Sequence, residues 1–259
     1  MNDTLKVIAN RRSVRNYATP PLNEEEKDAI LGAAMRAPTA GNLMLYSIIE
    51  IEDQALKDRL AVTCDNQPFI AKAPLLLLFA ADYQRQFDIY TMSGAEEKSR
   101  QRGIDFRKPQ VGDMLLACCD AVIAAQTAVL AAESLGIGSC YIGDILEQYE
   151  THRELLGLPP YVVPVALVCF GRPAVVKDEV RLTPRYDRKF IVHRDRYHSI
   201  DRLGMEEMLR PTVERAFPSE FRPEDVDEIA QRMFFRKFAS DFAREMSRSV
   251  REMLKNWEE

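Results

Sequence analysis

Residues 111–144 read VGDMLLACCDAVIAAQTAVLAAESLGIGSCYIGD and constrain the chain more than any other stretch. From position 112 to position 135 the charged side chains are Asp113, Asp120 and Glu133, and alanine recurs throughout. Such a run has high helix propensity and apolar residues on nearly every face, and a helix apolar all round is expected to be buried all round. At ~1.5 Å per residue it spans roughly 36 Å, long enough to cross a bilayer. Asp120, Gln126 and Thr127 fall in its middle, however, and no basic flanks frame it. The reading is a core helix, closed within the chain or by a second subunit. Gly136 suits a left-handed C-cap, and Gly138 and Gly143 around Cys140-Tyr141-Ile142 leave a backbone that a flat group can approach closely.

The rest of the composition narrows the class. A chain of 259 residues with 46% hydrophobic content can bury one core and carry an appendage. Its net charge of −5 argues against a general nucleic-acid or membrane-surface binder, since both need a net basic face. Cys64, Cys118, Cys119, Cys140 and Cys169 have no metal spacing and mostly apolar neighbours, so they read as buried thiols. The first residues, MNDTLKVIANRRS, hold no apolar signal core, and the expected location is the cytoplasm.

Along the chain, residues 4–9 end a short helix, and Arg11, Arg12 and Arg15 then crowd around Ser13. No acidic residue stands between Asp3 and Glu24, so these cations lack local partners; cations with a short hydroxyl donor among them suit a phosphate monoester. Asn23 and Glu26 form a capping-box signature for a helix running to about Arg36, closed by the small-residue loop Ala37-Pro38-Thr39-Ala40-Gly41-Asn42. Strands are expected at 45–51, 74–80 and 161–170, with Pro164 demoting its end of the last to a sheet edge or a bulge, and a helix at 53–64. A polar turn, Asp65-Asn66-Gln67-Pro68-Phe69, precedes the second strand, and a short helix is expected near 146–156. Residues 83–110 lack a sustained apolar period and read as a mobile polar stretch that could act as a lid. Residues 174–197 read as a charged arm. Past Gly204, Val226, Ile229, Met233, Phe234, Phe238, Phe242, Met246, Val250 and Leu254 recur at helical spacing, predicting one amphipathic helix of about 50 Å that straps over the body or a partner.

Several chemistries drop out. His152, His193 and His198 have no zinc spacing, Cys118-Cys119 has no adjacent base, and Gly136-Ile137-Gly138 follows a helix rather than a strand and lacks the third glycine of a dinucleotide fingerprint. What remains is a cationic cluster, a donor loop, a polar turn and a glycine-lined edge.

In order and spacing, the segments Arg11-Arg12-Ser13-Val14-Arg15-Asn16-Tyr17, Ala37 to Asn42, Leu135 to Gly143 and Val163 to Pro173 resemble the nitroreductase family of FMN flavoproteins. The resemblance covers about residues 5–200. It implies an α+β fold with a mixed central sheet flanked by helices, a long central helix at the interface of a homodimer, and FMN sites built from both chains. On that basis residues 1–204 form the FMN-binding domain and residues 205–259 a helical C-terminal extension packing on the body or on the partner subunit. The resemblance puts Arg11, Ser13 and Arg15 on the FMN phosphate and ribityl with Arg12 beside them. Pro38, Thr39, Ala40 and Asn42 of the other subunit go to the ring, Gln67 to its polar edge, and Tyr141, Ile142, Gly143 and Asp144 to its second face. Arg185 is the expected late basic residue on the phosphate, with Arg181 the alternative. Many members carry Asn-x-Gln-Pro-Trp after the small loop, where this chain has Asn42-Leu43-Met44-Leu45-Tyr46. The implied activity is an FMN-dependent oxidoreductase using NADH or NADPH to reduce nitroaromatics, quinones or flavin, with no metal, nucleic-acid or membrane partner. Alternatives are dehalogenation or dehydrogenation on the same scaffold, or a flavin-binding sensor or assembly protein.

Overall fold

A computed structural model describes residues 1–19, 21–175, 182–217 and 222–258. In chain order the elements are α1 (Asp3–Asn10), α2 (Glu24–Met35), β1 (Tyr46–Glu50), α3 (Gln54–Thr63), β2 (Leu75–Asp82), α4 (Gln84–Met92), α5 (Ala95–Arg102), α6 (Val111–Ser134), β3 (Gly138–Ile142), α7 (Tyr149–Leu156), β4 (Val162–Gly171), α8 (Arg202–Ala216), α9 (Pro223–Met233) and α10 (Asp241–Leu254). They form two compact units, Met1–Asp178 with Glu245–Glu259, and Glu179–Arg244.

The first unit is an α+β layered body. Its sheet runs β1-β2-β4-β3, with each of these neighbours antiparallel. The parallel component is an isolated bridge from Ser13 to Ser139. The continuously apolar β2 is explained by burial on both faces: Leu75, Leu77 and Phe79 enter one core while Leu76, Leu78 and Ala80 enter the other. Val168 and Phe170 of β4 follow the first set, Leu167 and Cys169 the second. Helices α2 and α6 cover the first face, and α3 lies on the other. Pro164 sits in a central strand. It is tolerated because Phe79 pairs with Ala166 and Ala80 with Pro164, leaving Val165 as the extra residue of a bulge.

Three expectations change. In α6 the residues facing the sheet are buried, chiefly Ala117, Ala121, Ala124, Ala125, Ala128 and Ala132. On its other side Leu115 is 64% exposed, Leu116 45%, Val122 46% and Ile123 39%. The helix is therefore not buried all round by its own chain. Small alanines let it lie close on the sheet, while the large side chains point away. The polar stretch 83–110 is helical over α4 and α5, with intrahelical polar pairs such as Gln84–Asp88 and Arg100 with Glu96 and Glu97, and with Phe87 of α4 against Tyr161 and Phe106. Gly94 and Gly103, at φ +71° and +65°, bound α5. The single long helix expected at 223–256 is broken: α9 passes into a π-helical turn at Phe234–Phe238, and Ser240 starts α10 by accepting from the Ala243 N–H.

The second unit has its own small core, Leu209 and Val213 of α8 against Val226 and Ile229 of α9. Met253 and Trp257, near the chain end, belong to the first unit, where they pack with Leu45, Tyr149 and Val163.

Candidate functional site

After α1 the chain runs extended along the sheet edge and is fastened at both ends. The Val14 N–H donates to Ser139 O (2.9 Å), the Ala18 N–H to Arg172 O (2.8 Å), and the Ala174 N–H to Asn16 O (3.0 Å). Position 138 must be glycine, because a Cβ there would stand 2.3 Å from Val14 Cγ2. With Val14 buried, the alternation of an extended chain sends Ser13 and Arg15 outward. Arg11 Nη1 donates to Ser139 Oγ (3.4 Å), and the Arg15 guanidinium lies 5.7 Å from the centre of the Phe69 ring. Among the described residues, none of Arg11, Arg12 and Arg15 is in an ion pair. The nearest carboxyl is Glu133, which accepts from Ser139 Oγ (3.4 Å) and is raised by burial against the opposing pull of Arg11 and Arg12. This end of the edge is uncompensated positive charge with a hydroxyl in its midst.

The other end has the opposite character. Asp65 and Asn66, at φ +61° and +50°, turn the chain after α3 and present Gln67. Gln67 Nε2 donates to Cys64 O (2.9 Å) and to Asp144 Oδ2 (2.7 Å). Asp144 stands in the short 3₁₀ turn Gly143–Leu146 that follows β3. Next comes Glu147, 5% exposed, whose carboxyl is pushed up to about 7, first by burial and then by the Asp144 charge. Among the described residues its Oε1 has no hydrogen-bond partner. Below them His152 is fully buried and held neutral by desolvation, with Nδ1 3.0 Å from Ile145 O and Nε2 2.8 Å from Thr63 Oγ1. It is a core histidine. Ser139 and Gly143 stand four positions apart, about 13 Å of extended chain at ~3.3 Å per residue.

The loop at 38–42 is anchored elsewhere. Asp120, 2% exposed in mid-α6, accepts from Thr39 Oγ1, from the Ala40 N–H (3.1 Å) and from the Leu45 N–H (3.3 Å). Gly41, Asn42 and Met44 all have positive φ. For the two non-glycine residues that conformation is strained by about 1 kcal/mol each, and Asp120, with Arg85 bonded to Met44 O and Tyr46 O, holds it in place.

The structure thus brings Arg11, Ser13, Arg15, Gln67, Tyr141, Gly143 and Asp144 to one edge, with Arg12 alongside. Ile142 is there through its backbone, its side chain being buried in the core. Pro38, Thr39, Ala40 and Asn42 sit on α6, and none of the loop's hydrogen bonds reaches the arginines. Arg185 lies in the second unit, exposed, with Nη1 donating to the Thr183 and Pro184 carbonyls; Arg181 lies outside the described residues. Sequence reasoning missed Asp120, Arg85 and Glu147 as organisers. The signal for Asp120 was its isolation in an apolar helix. No comparable signal marks the other two. Among the described residues no cluster fits a metal ion.

Comparison with known proteins places the chain in a family. The model of the nitroreductase family matches residues 8–172. The chain is 32% identical over 201 residues to an oxygen-insensitive NADPH nitroreductase of Salmonella typhimurium, covering 78% of this chain and 77% of the relative. It is likewise 32% identical over 198 residues to an FMN reductase (NADPH) of Bacillus subtilis, covering 76% of each. Among solved structures, an NADPH:FMN oxidoreductase from Vibrio harveyi complexed with NAD+ superposes with a TM-score of 0.77 at 25% identity, covering 98% of both chains. With its family model, relatives and fold in agreement, the chain belongs to the nitroreductase family.

Proposed function

We propose that the protein is an FMN-dependent NAD(P)H oxidoreductase that reduces nitroaromatic, quinone or flavin acceptors. The observation that carries this is the Arg11–Ser13–Arg15 edge, cationic and without ion pairs, set along one strand from the Gln67–Asp144 pair. The residues fit FMN. Unneutralised guanidiniums and a hydroxyl suit a phosphate, and a fixed amide beside exposed glycine backbone suits the polar rim of a flat ring. Bound FMN supplies two-electron chemistry, between a nicotinamide donor and the acceptor. The chain's own work is placement and charge. Arg11, Ser13 and Arg15 hold the phosphate and ribityl, with Arg12 beside them and Arg185 as the late basic residue. Gln67 meets the ring's polar edge, and the 141–144 backbone walls its second face. The cytoplasm, where NADH and NADPH are available, is the matching location.

The site is completed in a homodimer. The large outward residues of α6, Leu115, Leu116, Val122 and Ile123, form the seam, and burying one fully is worth ~1.5–3 kcal/mol. A second copy then brings its own Pro38, Thr39, Ala40 and Asn42 to the ring. Residues 205–259 act as a helical extension that returns to the body at Met253 and Trp257.

The purified protein should be yellow, release FMN on denaturation, bleach anaerobically with NADH or NADPH, and recover colour with an acceptor. Colourless protein that takes up no FMN would refute the reading. Leu115→Lys combined with Leu116→Lys should give monomers by light scattering; an unchanged dimer would remove the seam.

A further inference from the structure

We propose that Asp120 is a positioning residue for the flavin site of the second copy: it fixes the backbone at 39–45, so that Pro38, Thr39, Ala40 and Asn42 meet that copy's ring in a preset shape. The proposal rests on the FMN homodimer reading above.

The loop has a backbone that does not hold itself. Gly41, Asn42 and Met44 stand at φ +57°, +58° and +49°. Glycine takes that conformation freely, asparagine tolerates it and methionine rarely adopts it, so the turn persists only where its surroundings over-determine it. Asp120 does so. Its Oδ2 accepts from Thr39 Oγ1 and from the Leu45 N–H (3.3 Å), and its Oδ1 from the Ala40 N–H (3.1 Å). The Thr39 hydroxyl, its proton committed to Asp120, accepts in turn from the Met44 N–H (2.9 Å). One carboxyl thereby ties residues 39 and 40, before the left-handed stretch, to residues 44 and 45 after it. Arg85 secures the outgoing chain, donating to Met44 O, Tyr46 O (2.9 Å) and Ser47 Oγ (3.1 Å).

An aspartate in the middle of an alanine-rich helix does not stabilise the fold by itself. At 2% exposure it is desolvated, and what it binds must offset that cost. What it binds is the loop, whose Pro38, Gly41 and Asn42 stay exposed. The network shapes a surface rather than filling a core. The same helix carries the proposed seam. Leu116 and Ile123 lie about one helical turn before and after Asp120, and with Leu115 and Val122 they are exposed on the other side of α6. One rigid helix thus holds the loop on one side and offers the second copy a docking stripe on the other. Docking two such helices delivers each loop to the opposite flavin without the cost of ordering it at that moment.

The test uses mixed dimers. One copy carries Arg11→Ala with Arg15→Ala and the other Asp120→Ala; the two are co-expressed, isolated through different affinity tags and titrated with FMN by fluorescence quenching. If each loop serves the other copy's flavin, one site receives both defects and the other receives none. The expected result is one FMN per mixed dimer bound with wild-type affinity. The Asp120→Ala homodimer, unchanged in size by light scattering, should bind FMN about tenfold or more weakly at both sites, as expected for the loss of a buried hydrogen-bond acceptor. A loop acting on its own subunit's site leaves both sites of the mixed dimer damaged. A mixed dimer without a wild-type site therefore overturns the proposal, as does an Asp120→Ala homodimer with wild-type affinity. A general folding defect cannot restore one site while abolishing the other. Should Asp120→Ala fail to fold, Asp120→Asn takes its place in both arms, keeping the shape but turning one acceptor into a donor. Wild-type protein that takes up no FMN, or that is monomeric, overturns the parent reading, and is told apart because it fails before any variant is compared.

Discussion

The two ends of the edge along β3 are opposite in character, one cationic and one acidic, and they arrive there differently. The cationic end is made by neighbours in sequence, Arg11, Arg12 and Arg15, splayed outward by an extended backbone whose inward residue is Val14. The acidic end is assembled: Gln67 from the turn after α3, Asp144 and Glu147 from the turn after β3, and Glu245 from α10. Surface cations cost little to leave unpaired in water. Buried carboxyls are costlier to leave charged, so at the second end the Glu147 carboxyl is pushed up to about 7 while Asp144 is held by the Gln67 amide. The first end is suited to hold a charged group and the second to set the electrical environment of a neutral one.

The comparison can be broken most directly at the cationic end. Arg11→Ala with Arg15→Ala removes charge-assisted bonds worth ~1.5–3 kcal/mol each, so FMN affinity should fall by about two orders of magnitude or more, while riboflavin, which lacks the phosphate, should lose little. Isothermal titration with both ligands checks this; equal losses would mean that the arginines do not read the phosphate. A smaller effect is expected from Asp144→Asn, which keeps the shape but removes the charge. The flavin potential should rise, and the Glu147 midpoint, read by NMR titration of its carboxyl carbon, should drop from about 7 toward the ordinary glutamate range. An unmoved Glu147 would show that burial alone raises it.

Smaller again is the stability effect of Glu147→Gln. An acid whose pKa is higher folded than unfolded binds more protons in the native state, so its contribution is best at low pH and declines as pH rises from about 4.5 through about 7. Wild-type melting temperature should therefore fall relative to Glu147→Gln between pH 5 and pH 8; parallel curves would remove the buried-carboxyl assignment. The smallest change is expected from Arg185→Ala. Among the described residues its guanidinium donates to the neighbouring Thr183 and Pro184 carbonyls, and FMN affinity should drop by less than tenfold in titration.

Much of the fold was legible because its signals are local. The Asn23–Glu26 capping box, the continuously apolar β2 and the left-handed Gly136 all appear where sequence chemistry puts them. The errors share a cause. Helices α4 and α5 are stabilised by polar pairs, which periodicity does not register, and the break between α9 and α10 lies in a stretch whose apolar spacing continues across it. Of the site, Arg11, Ser13 and Arg15 were readable as cations lacking acids nearby in sequence. Asp120 was visible as an oddity in an apolar helix, but its task, gathering three donors from the Thr39 loop, depends on partners some 80 positions away.

The sequence by itself determined the family, most of the elements and the cationic end, because hydrophobic period, caps and contiguous charge act over a few residues. Only the tertiary structure decided which side of α6 is left uncovered, that Pro164 lies in a bulge of a central strand, and that Asp144 meets Gln67 from the turn after α3. Those facts depend on strand register and on desolvation, which exist only once distant segments are packed together.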